Sequence, residues 1–266
     1  VFADTQYAHM VWRLVTFRFG RSAVKTREPV GAKIWRAVLV SAPLMLMSQL
    51  VIYFVAVPLG IVAAVKRDTL IDRVITLKLF LLYSIPPFVA GMLLLLFFCY
   101  GSYLKWFPSM GLHSPGADNF GWGRYLLDYL WHAFLPVVCL SLFSLAALAM
   151  YSRTSMLDVI GQDYIRTARA KGLRERAVIL GHTLKNSLIP VTTVLGPLMA
   201  AWLTGSFIIE HVFSIPGIGR FFVTSIADRD YTLIMGTMLV YAVILVIMNI
   251  LVDISYAFLD PRIRFE

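Results

Sequence analysis

Between Asp163 and Pro190 the chain reads Asp-Tyr-Ile-Arg-Thr-Ala-Arg-Ala-Lys-Gly-Leu-Arg-Glu-Arg-Ala-Val-Ile-Leu-Gly-His-Thr-Leu-Lys-Asn-Ser-Leu-Ile-Pro. Its chemistry is that of contact, not of bond breaking. Thr167, Ala168, Ala170 and Gly172 keep the surface low, so another protein can approach closely. Arg166, Arg169 and Lys171 make that surface basic. Tyr164 to Lys171 are mostly good helix formers. Gly172 suits the place just past a helix end, where a left-handed conformation stops the helix. Leu173 can fold back onto the last turn, and a second helix starts near Arg174 and runs toward Pro190. The plain alternative is an amphipathic helix on lipid headgroups, which needs a strong apolar face. The first turns offer only Tyr164, Ile165 and alanines, which favours protein contact.

A second group lies at 205–230. Glu210 and His211 follow an apolar run, and Pro216, Gly217 and Gly219 mark a tight turn. It reads as a re-entrant or connecting loop or, for Glu210 alone, as the proton-relay acid of an ion-coupled secondary transporter. Asp253 stands inside the last apolar run, near Asn249. A mid-membrane carboxylate costs roughly 2.5–3.5 kcal/mol, so such acids are functional candidates. The nearness of Asp260 and Pro261 favours a structural part, with the carboxylate reaching water or capping a basic neighbour.

His9, His113, His132, His182 and His211 show no metal-ligand spacing. No Gly-x-Ser-x-Gly elbow or carboxylate pair suggests hydrolysis. We expect no catalytic residue, metal or cofactor. The Gly-x-x-x-x-Gly-Lys-Ser/Thr phosphate loop is missing too, so this chain is not itself an ATPase.

Composition says what must hold these groups. Of 266 residues, 59% are hydrophobic and 15% charged, against roughly 25% charged in soluble domains. One water-soluble core cannot hide that much apolar surface, so the chain is an integral membrane protein. Its net charge of +9 reads as loop charge. The charge is dispersed and carries no nucleic-acid motif. Cys99 and Cys139 fall in apolar runs and read as buried thiols.

A helix needs about 20 apolar residues to cross the hydrocarbon. Five segments qualify: 38–65, 76–100, 133–152, 189–209 and 231–257. Period-two alternation over barrel lengths is lacking, so the class is all-α and polytopic. With alternating spans, one side holds Lys66, Arg67, Arg73, Arg153, Arg166, Arg169, Lys171, Arg174, Arg176, Lys185, Arg262 and Arg264. The other holds Lys105, Arg124, Arg220 and Arg229. Basic loops face the cytoplasm, which puts 153–188 inside. Residues 1–36, despite seven basic residues, then form an external segment, and 101–132 an external loop with interfacial aromatic rings. A further span ahead of Val1 would place both termini inside.

Tyr164 to Leu173 resembles the cytoplasmic coupling loop of binding-protein-dependent ABC transporter permeases, in its dipeptide/oligopeptide form. Phe19-Gly-Arg-Ser22 with Glu28-Pro-Val30 resembles the external segment after that family's first span. Glu210-His-Val-Phe-Ser-Ile-Pro-Gly-Ile-Gly219 with Arg229-Asp-Tyr231 resembles the segment before its last span. Leu259-Asp-Pro-Arg-Ile-Arg264 resembles its C-terminal signature. Four motifs in order, over nearly the whole chain, point to the B-type permease subunit, here without its first of six spans. The loop departs from the general importer pattern of Glu-Ala-Ala, three residues, Gly, then an Ile-x-Leu-Pro ending: Arg166 and Thr167 stand in the first two places, His182 to Lys185 in the last four, and only Ala168, Gly172 and Leu184 match.

The resemblance implies a type I ABC importer permease fold, with a transmembrane domain over 37–266. It implies an inner-membrane subunit that is not an enzyme and forms a path for peptides or similar solutes with a second related permease. ATPase subunits would dock on Tyr164, Arg166, Thr167, Ala168, Arg169, Ala170, Lys171, Gly172 and Leu173. An extracytoplasmic solute-binding protein would face Glu210, Phe213, Pro216, Gly217 and Gly219. No nucleic acid takes part.

Overall fold

The computed structural model describes residues 12, 16–22, 28–100, 104–193 and 207–259, with side chains for all of these but 189, 192, 193, 252, 253 and 255–259. The described elements are helical. They are α1 (Val30–Val65), α2 (Leu70–Ser84), α3 (Pro87–Phe98), α4 (Trp122–Ile160), α5 (Asp163–Ala170), α6 (Glu175–Ala177), α7 (Leu184–Thr193), α8 (Ile218–Ala227) and α9 (Tyr231–Leu259). A wider π turn, Val178–Thr183, joins α6 to α7. Among the described residues, α1, α4 and α9 are each long and apolar enough to cross a membrane, and α2 with α3 passes the same test as a broken pair.

Three of the expected spans lie inside α1, α4 and α9, and all three helices run beyond them. Helix α1 begins at Val30, ahead of the expected 38, and α4 reaches from Trp122 to Ile160, well outside 133–152. Pro43, Pro58 and Pro136 lie inside these helices without ending them. The expected span 76–100 is different, because the chain breaks between Ser84 and Pro87. Pro86 pushes Ile85 to extended backbone, with φ −86° and ψ 119°, as the ring clash before a proline demands. Pro87 then opens α3 at the first helical position, where an N–H is not needed. One proline is absorbed by a packed helix, whereas two in succession stop it. The expected span 189–209 falls largely on 194–206, outside the described residues. So do the side chain of Asp253 and the signature at 260–264.

The chain divides into two compact units. The first comprises Val1–Leu46, Phe88–Cys139 and Trp202–Val246. Its core packs Val30, Ile34 and Ala37 of α1 against Ile218 of α8 and Leu233 of α9, with Phe19, Phe221 and Tyr241 around them. The loop before α4 is tied down by Asp128. This carboxylate accepts the Ser114 hydroxyl at 2.6 Å and its N–H at 2.9 Å, and His113 lies 3.3 Å away. Phe107 stacks on Trp131 and Phe134, while Trp106 and Trp122 are exposed. Cys139 is buried and Cys99 half-buried, and neither is in a disulfide.

The second unit comprises Met47–Pro87, Leu140–Ala201 and Ile247–Glu266. Its α1 and α4 sections touch at Gly60, where an added Cβ would lie 2.6 Å from the Ala149 carbonyl and from Ser152. Only glycine lets the two backbones come this close.

Candidate docking site and the capped turn

The 163–190 segment folds as a helix, a glycine stop and a redirected helix. Gln162 opens α5 from an extended conformation. Gly172 stops it with φ +79°. Two bonds close the end: the Gly172 N–H donates to the Arg169 carbonyl at 2.9 Å, and the Leu173 N–H to that of Ala168 at 3.4 Å. This is a Schellman stop, with the left-handed residue one place beyond the cap. The chain then turns into α6 at Glu175, close to the expected Arg174.

Two residues anchor α5. Ile165 and Ala168, three apart and so on one face, pack against Val178 and Val159. Ile165 is fully buried and Ala168 is 8% exposed. The remaining docking candidates, Tyr164, Arg166, Thr167, Arg169, Ala170, Lys171, Gly172 and Leu173, are exposed. Ala168 therefore holds the helix down and does not present itself to a partner. The Leu173 backbone folds back as expected, but its side chain stays 43% exposed.

Arg169 reaches across the turn to Glu175 with two bonds, Nη2 to Oε1 at 2.7 Å and Nε to Oε2 at 3.1 Å. That guanidinium holds the Glu175 carboxyl below the usual carboxylate range. Asn186 donates to the Tyr164 hydroxyl at 2.9 Å. Arg166 has a single long contact, 3.5 Å to Asp163, with both side chains largely in solvent.

The 207–230 segment, in the first unit, is built around two carboxyl groups. Glu210 is 2% exposed. Its Oε1 accepts the Ser41 hydroxyl at 2.7 Å, and its Oε2 accepts the N–H groups of Gly219 at 2.8 Å and Arg220 at 3.1 Å. The Ser41 oxygen in turn accepts the Ile218 N–H at 3.0 Å. Glu210 and Ser41 thus satisfy the otherwise unpaired first N–H groups of α8, where a negative group is also favoured by the helix dipole. Gly217 packs directly on them, and a Cβ there would collide with Glu210 and Ser41. Asp230 does the same for α9, accepting the Leu233 N–H at 3.2 Å, and it also accepts the Ser22 hydroxyl.

Of the five residues assigned to a binding-protein contact, Glu210, Phe213, Gly217 and Gly219 are buried and Pro216 is exposed. Those four shape the turn from inside. A proton-relay part for Glu210 sits poorly with oxygens engaged by a hydroxyl and two backbone N–H groups.

Residues 56–265 match the family described as binding-protein-dependent transport system inner membrane component. The chain is 40% identical over 261 residues to the dipeptide transport system permease protein of Bacillus subtilis, covering 98% of this chain and 79% of that one. It is 36% identical over 260 residues to an oligopeptide transport system permease protein of the same organism, covering 98% and 80%. It is 35% identical over 263 residues to the peptidoglycan transport system permease protein of Agrobacterium fabrum, covering 98% and 72%. The chain belongs to this family of inner membrane components.

As a permease of binding-protein-dependent transport, it brings motifs that are far apart in sequence into one place. Phe19-Gly-Arg-Ser22 meets Glu28-Pro-Val30 through a bridge between Arg21 and Pro29. Ser22 reaches Asp230 of the Arg229-Asp-Tyr231 motif, and Phe19 packs with Val30, Ile218 and Leu233. Sequence reasoning missed Ser41 and Asp230 as partners of this turn, and Ile165 and Val178 as anchors of α5. Ile165 was legible from its spacing to Ala168. Ser41 carries no local signal, since it sits mid-helix and is 169 positions from Glu210.

Proposed function

We propose that this permease subunit serves an ATP-driven importer of peptides or similar solutes, coupled to its ATPase through the exposed face of α5. The observation that carries the reading is the division of labour along α5. Ile165 and Ala168 hold the helix to its own chain, which leaves Tyr164, Arg166, Thr167, Lys171 and Leu173 turned outward. An apolar and basic surface with small residues between suits a groove on another protein.

In this reading 153–188 is the cytoplasmic coupling loop, 1–36 lies outside, and 37–266 forms the transmembrane domain. The protein is a multi-pass subunit of a bacterial plasma membrane. A second related permease completes the path, ATPase subunits dock at 163–173, and an external solute-binding protein delivers the solute near the turn at Pro216. The permease itself performs no hydrolysis. Peptides are favoured because relatives named for dipeptide and oligopeptide transport match over 98% of this chain.

The test is uptake in vesicles reconstituted with the complete system. Uptake should require ATP and continue when ion gradients are collapsed. Uptake that follows an ion gradient and ignores ATP would sink the reading and restore the ion-coupled one.

A further inference from the structure

Asp72 and Arg153 form a partly buried ion pair in the second unit that the docking reading does not use. Asp72 is 4% exposed and lies in the first turn of α2. It takes Arg153 in a bidentate fork, Nε to Oδ1 and Nη2 to Oδ2, both at 2.7 Å. The same carboxylate accepts the Asp68 N–H at 3.1 Å and the Thr76 hydroxyl at 3.2 Å. Asp68 holds a left-handed conformation, φ 64°, which a short acidic side chain tolerates and which turns its N–H toward Asp72. Four donors therefore fix one carboxylate. Paired forks of this kind carry geometry as well as energy.

The position of Arg153 gives the pair a use. The stretch of α4 from Ala149 to Met156 is joined to three other elements. Ala149 and Ser152 meet α1 at Gly60. Arg153 holds the start of α2. The Ser155 hydroxyl donates to the Ser187 carbonyl of α7 at 2.7 Å. Gly161 and Gln162 are all that separates α4 from α5. Any displacement of α5 thus enters α4 within about two turns of Arg153.

We propose that the Asp72–Arg153 pair is the joint that carries docking-helix motion from α4 into α2, with both residues acting as positioning residues for transport. The proposal rests on the docking reading of α5. Without the fork, α4 and α2 keep the stacking of Tyr83 on Phe143, a ring contact that can slide. With it, the two helices move as one body, since a buried charge cannot leave its partner cheaply.

The experiment uses the complete importer in vesicles and reads solute moved per ATP hydrolysed, with ATPase co-purification as the docking control. Asp72→Asn and Arg153→Gln should retain the ATPase and still hydrolyse ATP, while solute moved per ATP falls about fivefold or more. The double variant should lose no more than either single one. Single variants that assemble and keep the parental ratio overturn the proposal, and so do losses that add in the double variant. If the single variants do not assemble, Arg153→Lys decides, because it keeps the charge and loses the fork: a reduced ratio supports the joint and a parental ratio removes it. Failure of the docking reading looks different, since changes at Tyr164 and Lys171 would then leave ATPase binding intact whatever the pair does.

Discussion

Arg169 and Glu175 clasp each other across the Gly172 turn, with bonds of 2.7 and 3.1 Å between the last turn of α5 and the first residue of α6. The pair fixes the angle at which α5 is presented. Its side chains are 40% and 55% exposed, so solvent screening keeps its contribution to stability below about 1 kcal/mol. Its sign with pH follows from the lowered Glu175 value. A carboxyl held below its ordinary range stabilises the fold fully above the unfolded value and loses that contribution as pH falls through the lowered one. Parent and Glu175→Gln permease should therefore differ in thermal unfolding midpoint at neutral pH and converge in acid. The difference should also shrink in high salt. A gap that persists in acid would exclude the ion pair as its source.

Gly172 yields a prediction that separates backbone from space. Beyond its chain neighbours, no atom of the described residues lies within 4 Å of a Cβ added there, yet φ is +79°. A side chain meets strain, not collision. Gly172→Val should cost about 1–2 kcal/mol, open the α5 end and lower ATPase co-purification. Gly172→Asn, which adopts the left-handed conformation more readily, should retain most of it. Equal losses in both variants would show that bulk at this surface, and not the turn, is what matters.

The glycine stop and the long apolar helices were legible because each is encoded locally. Gly172 terminates its own helix, and an apolar run of sufficient length declares itself. The partners of buried polar groups were not legible. Ser41 and Glu210, Ser22 and Asp230, and Asp72 and Arg153 are joined by tertiary packing, and no spacing rule connects residues so far apart. For the same reason Arg153 read only as one of several cytoplasmic charges. The break at Pro86–Pro87 was written in the sequence. It lies in the proline pair itself, whereas the single prolines at 43, 58 and 136 are absorbed by their helices.

Ala168 and Lys171 should part company on mutation. Ala168 is packed beside Ile165 and Val178, so Ala168→Glu buries a charge against the anchor of α5. The segment should detach, with faster hydrogen exchange across α5 in the permease alone. Lys171 is exposed at the end of the helix. Lys171→Glu should leave exchange in α5 unchanged and still weaken ATPase retention. If Lys171→Glu also loosens α5, the exposed face is structural and the docking assignment fails at that residue.

Glu210 carries the last prediction. Its two oxygens and Ser41 serve the N–H groups of Ile218, Gly219 and Arg220. Glu210→Ala leaves buried donors without this acceptor, at a cost of about 1–3 kcal/mol. The unfolding midpoint of the detergent-solubilised permease should drop accordingly. Glu210→Gln keeps the shape and one acceptor oxygen, but its amide places a donor toward either Ser41 or the helix N–H groups, so it should fall between parent and Glu210→Ala. Ser41→Ala should show a smaller loss, because it removes one link and leaves the Glu210 bonds to Gly219 and Arg220. A proton-relay acid would behave otherwise: Glu210→Gln would abolish transport and leave stability untouched. Measuring midpoint and uptake on the same three variants therefore distinguishes a cap that holds the turn in place from an acid that moves protons.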